Sequence, residues 1–288
     1  MSAPLNLLSI LDLETIEVNM FRGRSPQVGW QRIFGGEVIG QALVAACRTV
    51  EGRAPHSLHA YFILPGDPKV PIIFEVDRLR DGKSFTTRRV TAIQHGEAIF
   101  SMMVSFHREE PSDIEHQMPM PDVPGPDDLI GNEEMERKIM EVVPEPFRRY
   151  LQEERLLQLR PVEIERYFGK KLTDARCNIW FRVRTALPDD PAIHRCALAY
   201  ASDMSILDAA MAAHGRTLFA KDIMAASLDH ALWFHRPFRA DDWLLYSQDS
   251  PTTGCSRGLG RGLIFARDGR LVASVAQEGM IRLRKEKT

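Results

Sequence analysis

Cysteine is scarce in this chain of 288 residues. Its four thiols, Cys47, Cys177, Cys196 and Cys255, lie far apart, with no C-x-x-C pair and no metal-ligand spacing with histidine. That excludes a disulfide framework or zinc site as the organising device and suggests reduced thiols in a cytosolic protein. An excess of one charge is missing too: 37 Lys and Arg against 39 Asp and Glu leave a net −2, so nucleic acid and anionic membrane are not expected partners. No apolar run approaches a membrane span, and the start MSAPLNLLSILDLE lacks the basic and long apolar regions of a signal peptide. The end, RKEKT, is not a peroxisomal SKL-type address. The expectation is a cytoplasmic protein. What the chain does have is 44% hydrophobic and 26% charged residues, a globular balance over a length suited to two modest domains.

The chain repeats itself. Aligned without a gap, 56–90 meets 228–262: Pro65 falls on Pro237, Ile72-Ile73-Phe74 on Leu244-Leu245-Tyr246, Gly82 on Gly254 and Ser84 on Ser256. One inserted residue later, HGEAIFSMMVSFH (95–107) meets DGRLVASVAQEGM (268–280), and a fainter echo pairs ETIEVNMFRG with VEIERYFG. A unit this long means two copies of one domain. In each copy a largely apolar helical stretch (34–50 or 191–215) precedes four β-rich runs, near 57–64, 71–80, 84–94 and 98–107, then 229–235, 242–249, 255–267 and 271–283. One helix followed by an antiparallel meander is an α+β plan, the helix wrapped by a curved sheet and therefore apolar nearly all round. The expected division is an N-terminal domain over 1–108, a linker with surface helices over 109–160, rich in proline and acid at its start, and a C-terminal domain over 161–288.

Within CALAYASDMSILDAAMAAHG, Asp203 is out of place. Asp190 and Pro191 already supply the helix start and Gly215 the stop, which puts Asp203 about three turns inside, with Ala199, Tyr200, Ile206 and Leu207 on its face. A carboxylate there implies a water pocket, a partner or a raised pKa. Asp208 is the lesser candidate. The repeat supplies an internal control: the first copy has apolar Leu43 or Val44 near the position of Asp203, and Val104 opposite Gln277. Strand alternation turns Gln277 toward the helix with Leu271, Ala273 and Val275. Ser227, in AASLDHALWFH, enters a strand of the same sheet. No histidine is obviously placed to activate it, so the carboxylate, hydroxyl and amide suit holding and deprotonating a water, with Asp203 as general base.

FGGEVIGQALVAA, SLDHALWFHRPFRADDWLLY and DGRLVASVAQEGMIR closely resemble the acyl-CoA thioesterase II family over essentially the whole chain. The resemblance implies two tandem hotdog domains and hydrolysis of acyl-CoA to fatty acid and CoA, with an Asp, a Ser or Thr and a Gln orienting the water. By motif these are Asp203, Ser227 and Gln277. It also implies a homodimer or homotetramer with no cofactor or metal. Hotdog thioesterases often polarise the carbonyl at a helix N-terminus; Gly35 and Gly36 resemble such a substrate-binding feature, and close helix packing explains them equally well.

Two alternatives stand beside hydrolysis. A hotdog hydratase or dehydratase needs a histidine with a carboxylate, and none is convincingly placed beside Asp203; a non-catalytic acyl-thioester binder would have little use for Asp203, Ser227 and Gln277. Asp229-His230 is an unpromising dyad because neighbouring strand residues point to opposite faces. GLGRG (258–262) lies in a strand run and is a weak phosphate-loop match. Arg257, Arg261, Lys83, Arg88 and Arg89 are the basic residues within conceivable reach of CoA phosphates.

Overall fold

The computed structural model describes residues 6–26, 31–129, 137, 141, 148, 156–172, 175–218 and 220–284. The surface helices expected over 133–159 lie mostly outside these residues. The first half contributes strands β1 (Glu14–Glu17), β2 (Met20–Gly23), β3 (Ala54–Phe62), β4 (Ile72–Asp81), β5 (Phe85–Gln94) and β6 (Glu97–His107). The second contributes β7 (Leu157–Pro161), β8 (Cys177–Val183), β9 (Ile223–Ser227), β10 (Asp229–Phe234), β11 (Leu244–Gly254), β12 (Arg257–Ala266) and β13 (Leu271–Leu283). The helices whose bounds lie within the described residues are α1 (Leu7–Leu11), α2 (Gly35–Cys47), α3 (Pro191–Ser202) and the short α4 (Ala209–Ala212). All eight expected β-runs are strands, within a few residues at each end.

The strands form one 13-stranded sheet in the order β1-β2-β4-β5-β6-β3-β10-β13-β12-β11-β8-β7, with β9 also on β13. The order reads the same from either end, so the repeat in sequence is a repeat in space. The halves join where β3 runs antiparallel to β10, Leu58 opposite Leu232. Neither half presents an unpaired edge at the centre, where it would otherwise invite association. The fainter echo does not correspond to structure. Residues 14–23 form the β1–β2 hairpin, whereas Ile164–Phe168 is a 3-10 turn. The sheet positions of β1 and β2 are filled in the second half by β7 and β8, which draws Leu157–Pro161 out of the 109–160 stretch into the sheet.

The apolar character of the two central helices has its reason here. Every residue of α2 from Gly36 to Ala46 is buried, and so is α3 from His194 to Ser202. Burying Val38, Ile39, Leu43 and Val44 contributes about 1.5–3 kcal/mol for each side chain. α3 begins as its sequence signals: Asp190 accepts from Ala192 N at 2.9 Å, and Pro191 stands in the first turn. The helices run antiparallel. Gly36 lies against the carbonyl of Tyr200 and Gly40 against that of Cys196, so the N-terminus of α2 meets the C-terminus of α3.

The proline-rich connection is packed down. Met120, Val123 and Leu129 cover an apolar cluster of Trp180, Trp243, Leu245, Phe265 and Leu271, and Trp180 donates its ring N–H to the Pro124 carbonyl at 2.8 Å. The GLGRG glycines lie within strand β12, not in a loop that opens a helix. Their role is close approach: a Cβ on Gly260 would sit 2.4 Å from the Ile206 carbonyl oxygen.

Candidate active site

The helical stretch expected over 191–215 is not continuous. α3 ends at Ser202, Asp203 is its C-cap, a 3-10 turn covers Ile206–Asp208 and α4 follows. Asp203 therefore stands at a break in the helix, not three turns inside it. Orphan carbonyls of the last turn find partners: Tyr246 Oη donates to Ser202 O at 3.0 Å, and the Asp203 N–H reaches Ala201 O. Gln248 Nε2 holds Ser205 Oγ at 2.6 Å just beyond. A helix can thus stop inside the protein and turn a carboxylate toward the sheet without stranding its backbone.

The structure brings the three expected polar groups together. Gln277 Nε2 donates to Asp203 Oδ1 at 2.8 Å and to Ser227 Oγ at 2.9 Å, and Ser227 Oγ lies 3.5 Å from Asp203 Oδ1. Ser227 is the last residue of β9, not the first of a strand. The Leu228 N–H still bonds to Glu278 O at 3.0 Å before β10 begins, so both strands line up along β13 with Ser227 at the junction. Gln277 is buried in mid-β13, whereas Asp203 and Ser227 keep partial exposure. Burial raises the Asp203 carboxyl to about 6, against hydrogen bonds from Gln277, the Gly36 backbone and Ser227 that favour the carboxylate.

Gly35 and Gly36 meet this carboxylate from the other half of the chain. Gly36 donates its backbone N–H to Asp203, and a Cβ on Gly35 would lie 2.7 Å from Asp203 Oδ2. Close packing accounts for Gly36, which sits against the Tyr200 carbonyl, and the positive end of α2 faces the acid. A cavity of about 600 Å³ lined by Asn6, Arg48, Asp190 and Cys196 lies at the opposite ends of α2 and α3 from Asp203.

A histidine does stand beside this group, contrary to the sequence expectation. His230 is buried on β10; its Nδ1 hydrogen-bonds Gln277 Oε1, and its Nε2 lies 2.9 Å from Ser202 Oγ. Burial lowers its pKa to about 4, so the ring is neutral at pH 7. Both ring nitrogens are taken, so His230 does not offer the free nitrogen that a hydratase site requires. Asp229 points away and accepts from Glu278 N at 2.7 Å, as strand alternation demands. The repeat held a signal for His230: at the gap-free offset its counterpart is Leu58, just as, one inserted residue later, the counterpart of Gln277 is Val104.

Asp208 belongs to another cluster, paired with buried Arg166 at 2.8 Å. The basic candidates are mostly engaged. Arg88 is buried against Asp81 at 2.6 Å; Arg89 pairs with Asp77 at 2.8 Å, Arg257 with Glu278 at 2.9 Å and Arg261 with Asp249 at 2.9 Å. The Lys83 carbonyl accepts from Arg53.

Comparison with known proteins gives this geometry its context. Residues 21–107 match the acyl-CoA thioesterase N-terminal domain, and residues 148–280 match the acyl-CoA thioesterase family. Acyl-coenzyme A thioesterase 8 of Mus musculus is 40% identical over 290 residues, covering 96% of this chain and 89% of its own. The crystal structure of an acyl-CoA thioesterase II from Mycobacterium marinum superimposes with a TM-score of 0.78 at 44% identity, covering 97% of this chain and 99% of that one. A hot dog fold protein from Alicyclobacillus acidocaldarius gives 0.77 at 19% identity over 96% of this chain and 98% of its own, a likeness of fold alone. The architecture is a double hotdog.

Proposed function

This chain belongs to the acyl-CoA thioesterase II family and hydrolyses acyl-CoA thioesters, and from that premise we propose that Asp203 is the general base of the reaction. A water held between Asp203 and Ser227 gives a proton to the carboxylate while its oxygen attacks the thioester carbonyl. The C–S bond then breaks, CoA leaves as the thiolate, and the fatty acid remains; the proton on Asp203 returns to the thiolate or to solvent. A thiolate needs little protonation to leave, so one base and one set of orienting donors are enough. Ser227 and Gln277 direct the water; Gly35 and Gly36 form the substrate-binding end of α2, Gly35 at the positive helix terminus that polarises the carbonyl oxygen and Gly36 holding Asp203 with its N–H. The observation that carries this reading is the Asp203 carboxyl, raised to about 6 yet bonded to Gln277 at 2.8 Å. Such a group is ionised at pH 7 and basic enough to take a proton.

The experiment is CoA release from acyl-CoAs of graded chain length by wild type and Asp203→Asn. We expect the variant to lose about 10³-fold in kcat, roughly 4 kcal/mol, while melting as a folded protein. Equal rates would make Asp203 structural. In the wild type kcat/KM should fall below pH 6 as the base is protonated.

The division into domains 1–108 and 161–288 with a connection over 109–160 rests on the sequence repeat, and the palindromic strand order moves the start of the second domain to Leu157, the first residue of β7. A second copy of the chain is the partner proposed for the outer sheet face that carries His59, Tyr61, Met103 and Trp233. Tyr61 is 66% and Met103 47% exposed; Met103→Lys should shift the sedimentation coefficient toward the monomer, and an unchanged value would reject this face. Free thiols support a cytoplasmic location, which fluorescence microscopy of the tagged protein in its native cell would test against a peroxisomal one.

A further inference from the structure

We propose that His230, fixed by Ser202, is a positioning residue that decides which way the Gln277 amide faces, and so keeps the amide N–H directed at Asp203. The inference rests on the assignment of Asp203 as base.

A primary amide is nearly symmetric in shape, and a half-turn about its last torsion exchanges oxygen for nitrogen. For Gln277 the two orientations are not equivalent chemically. With Nε2 toward the site it donates to Asp203 and Ser227. Reversed, its carbonyl would oppose a carboxylate, and Asp203 and Ser227 would each lose the amide donor. Gln277 is 1% exposed, so bulk water cannot compensate for a wrong orientation, and the choice must be made by whatever meets Oε1.

What meets Oε1 is His230 Nδ1. An amide oxygen only accepts, so Nδ1 must carry the ring proton. In the neutral ring Nε2 is then an acceptor, so the single proton of the Ser202 hydroxyl, which lies 2.9 Å from Nε2 and 3.0 Å from Ala199 O, goes to the ring in this arrangement. The donors run in one direction: Ser202 O–H to His230 Nε2, His230 Nδ1–H to Gln277 Oε1, Gln277 Nε2–H to Asp203 Oδ1. Ser202 is the last residue of α3 and Asp203 the next. The chain of bonds thus closes on the same helix end from which it began, and the backbone that sets Asp203 also sets the far end of the relay. Chains of this kind polarise in one sense and resist reversal of any member.

The first half supplies the control. Register on β10 and β13 sets Ala231 against Ala276, and hence His230 directly across from Gln277. The counterparts Leu58 and Val104 are likewise cross-strand partners. One pair of facing positions is apolar in the half without the acid and hydrogen-bonded in the half with it. A histidine serving only to fill the core would have no reason to appear together with the glutamine.

The test compares wild type, His230→Leu, His230→Asn and Asp203→Asn by kcat, KM and the pH profile of kcat/KM. Leu is the residue the fold accepts at the equivalent first-half position. Asn places an amide nitrogen near the position of Nδ1 and can still donate to Gln277. We expect His230→Leu to lose about 10²-fold in kcat, with KM within about threefold, since misplacement of a catalytic group costs on this scale. Its acid limb should move upward, because the carboxylate loses a donor. Of the titratable side chains around this group among the described residues, His230 on β10, bonded to Gln277, is removed in this variant, Tyr246 on β11 titrates far above this range, and buried Glu37 in the first turn of α2 is common to all the variants. His230→Asn should return to within about tenfold of wild type. Equal losses in the Leu and Asn variants, or wild-type kcat in the Leu variant, would overturn the proposal while an inactive Asp203→Asn kept the base assignment; an active Asp203→Asn would end both. A readout that needs no variant to be active is the ¹⁵N spectrum of the imidazoles in the wild-type protein, assigned by loss of the His230 signal in His230→Asn. His230 must be protonated at Nδ1 and bare at Nε2 near pH 7, and the opposite tautomer would reject the relay.

Discussion

The same three neighbouring strand positions read Leu58, Val104 and Arg88 in the first half and His230, Gln277 and Gly260 in the second. Register confirms the correspondence: Arg88 faces Val104 across β5 and β6, and Gly260 faces Gln277 across β12 and β13. In the first half the row is inert. Leu58 and Val104 are core, and Arg88 donates to the Thr49 carbonyl just past the end of α2 and to Asp81. In the second half the large side chain is gone from β12, and the space admits the Ile206 turn. The helix can break there, and its last residue becomes Asp203. The difference between the halves is therefore more than three polar groups added to one of them. A glycine on a neighbouring strand makes room for the backbone that presents the acid, and two facing polar residues receive it.

Attempts to make one half resemble the other test this directly. The largest effect is expected from Gln277→Val, which writes the first-half residue into the second. Losing the donor to Asp203 and Ser227 should cost about 10²–10³-fold in kcat by the CoA-release assay. The mirror change, Val104→Gln, should leave kcat alone and instead destabilise the protein by about 1–3 kcal/mol in urea melts, because it forces a larger, polar side chain into a packed row beside Leu58.

Gly260→Ala sharpens the packing side of the comparison. A methyl group 2.4 Å from the Ile206 carbonyl oxygen must push the turn away, and the turn carries Asp203. We expect a loss of about 10–100-fold in kcat together with about 1–3 kcal/mol of stability. Full activity would mean that the turn moves independently of the acid.

The smallest effect is on stability, and its sign differs from that of the activity loss. A carboxyl raised to about 6 in the folded state binds its proton more tightly there than in the unfolded chain, where it titrates near ~3.9. Its charge thus costs stability above pH 6, and the cost disappears as pH falls toward 4. Asp203→Asn should accordingly be more stable than wild type at pH 8 by about 1–3 kcal/mol, with the gap closing by pH 4.5. His230 acts in the opposite sense. Its folded value near 4 lies below the unfolded ~6.5, so its contribution is present above pH 6.5 and is lost as pH falls through 4. The two slopes oppose each other in wild type. Asp203→Asn should therefore lose stability with acid more steeply than its parent.

Much of this was legible in advance because it is written in local chemistry. The strand runs, the Asp190–Pro191 helix start and the twofold repeat depend on side-chain period and turn residues that lie close in sequence. Asp203 and Gln277 were found because each is a polar residue where its repeat partner is apolar. His230 carries the same signal, with Leu58 as its apolar counterpart, but beside Asp229 it reads as half of an unpromising dyad. The break after Ser202 was not legible, since an alanine-rich run reads as continuous helix and the cause of its ending, Gly260, lies more than fifty residues away. The echo at 162–169 misled because a short match carries no information about sheet position.

By itself, then, the sequence determined two copies of a helix wrapped by an antiparallel meander, and a polar set present in only one of them. Tertiary structure alone decided that the helix stops at Asp203, that the N-terminus of the first half's helix points at it, and that a neutral histidine holds the glutamine. These depend on which distant atoms fill the space beside a backbone, and hydrophobic periodicity records burial without naming the neighbour.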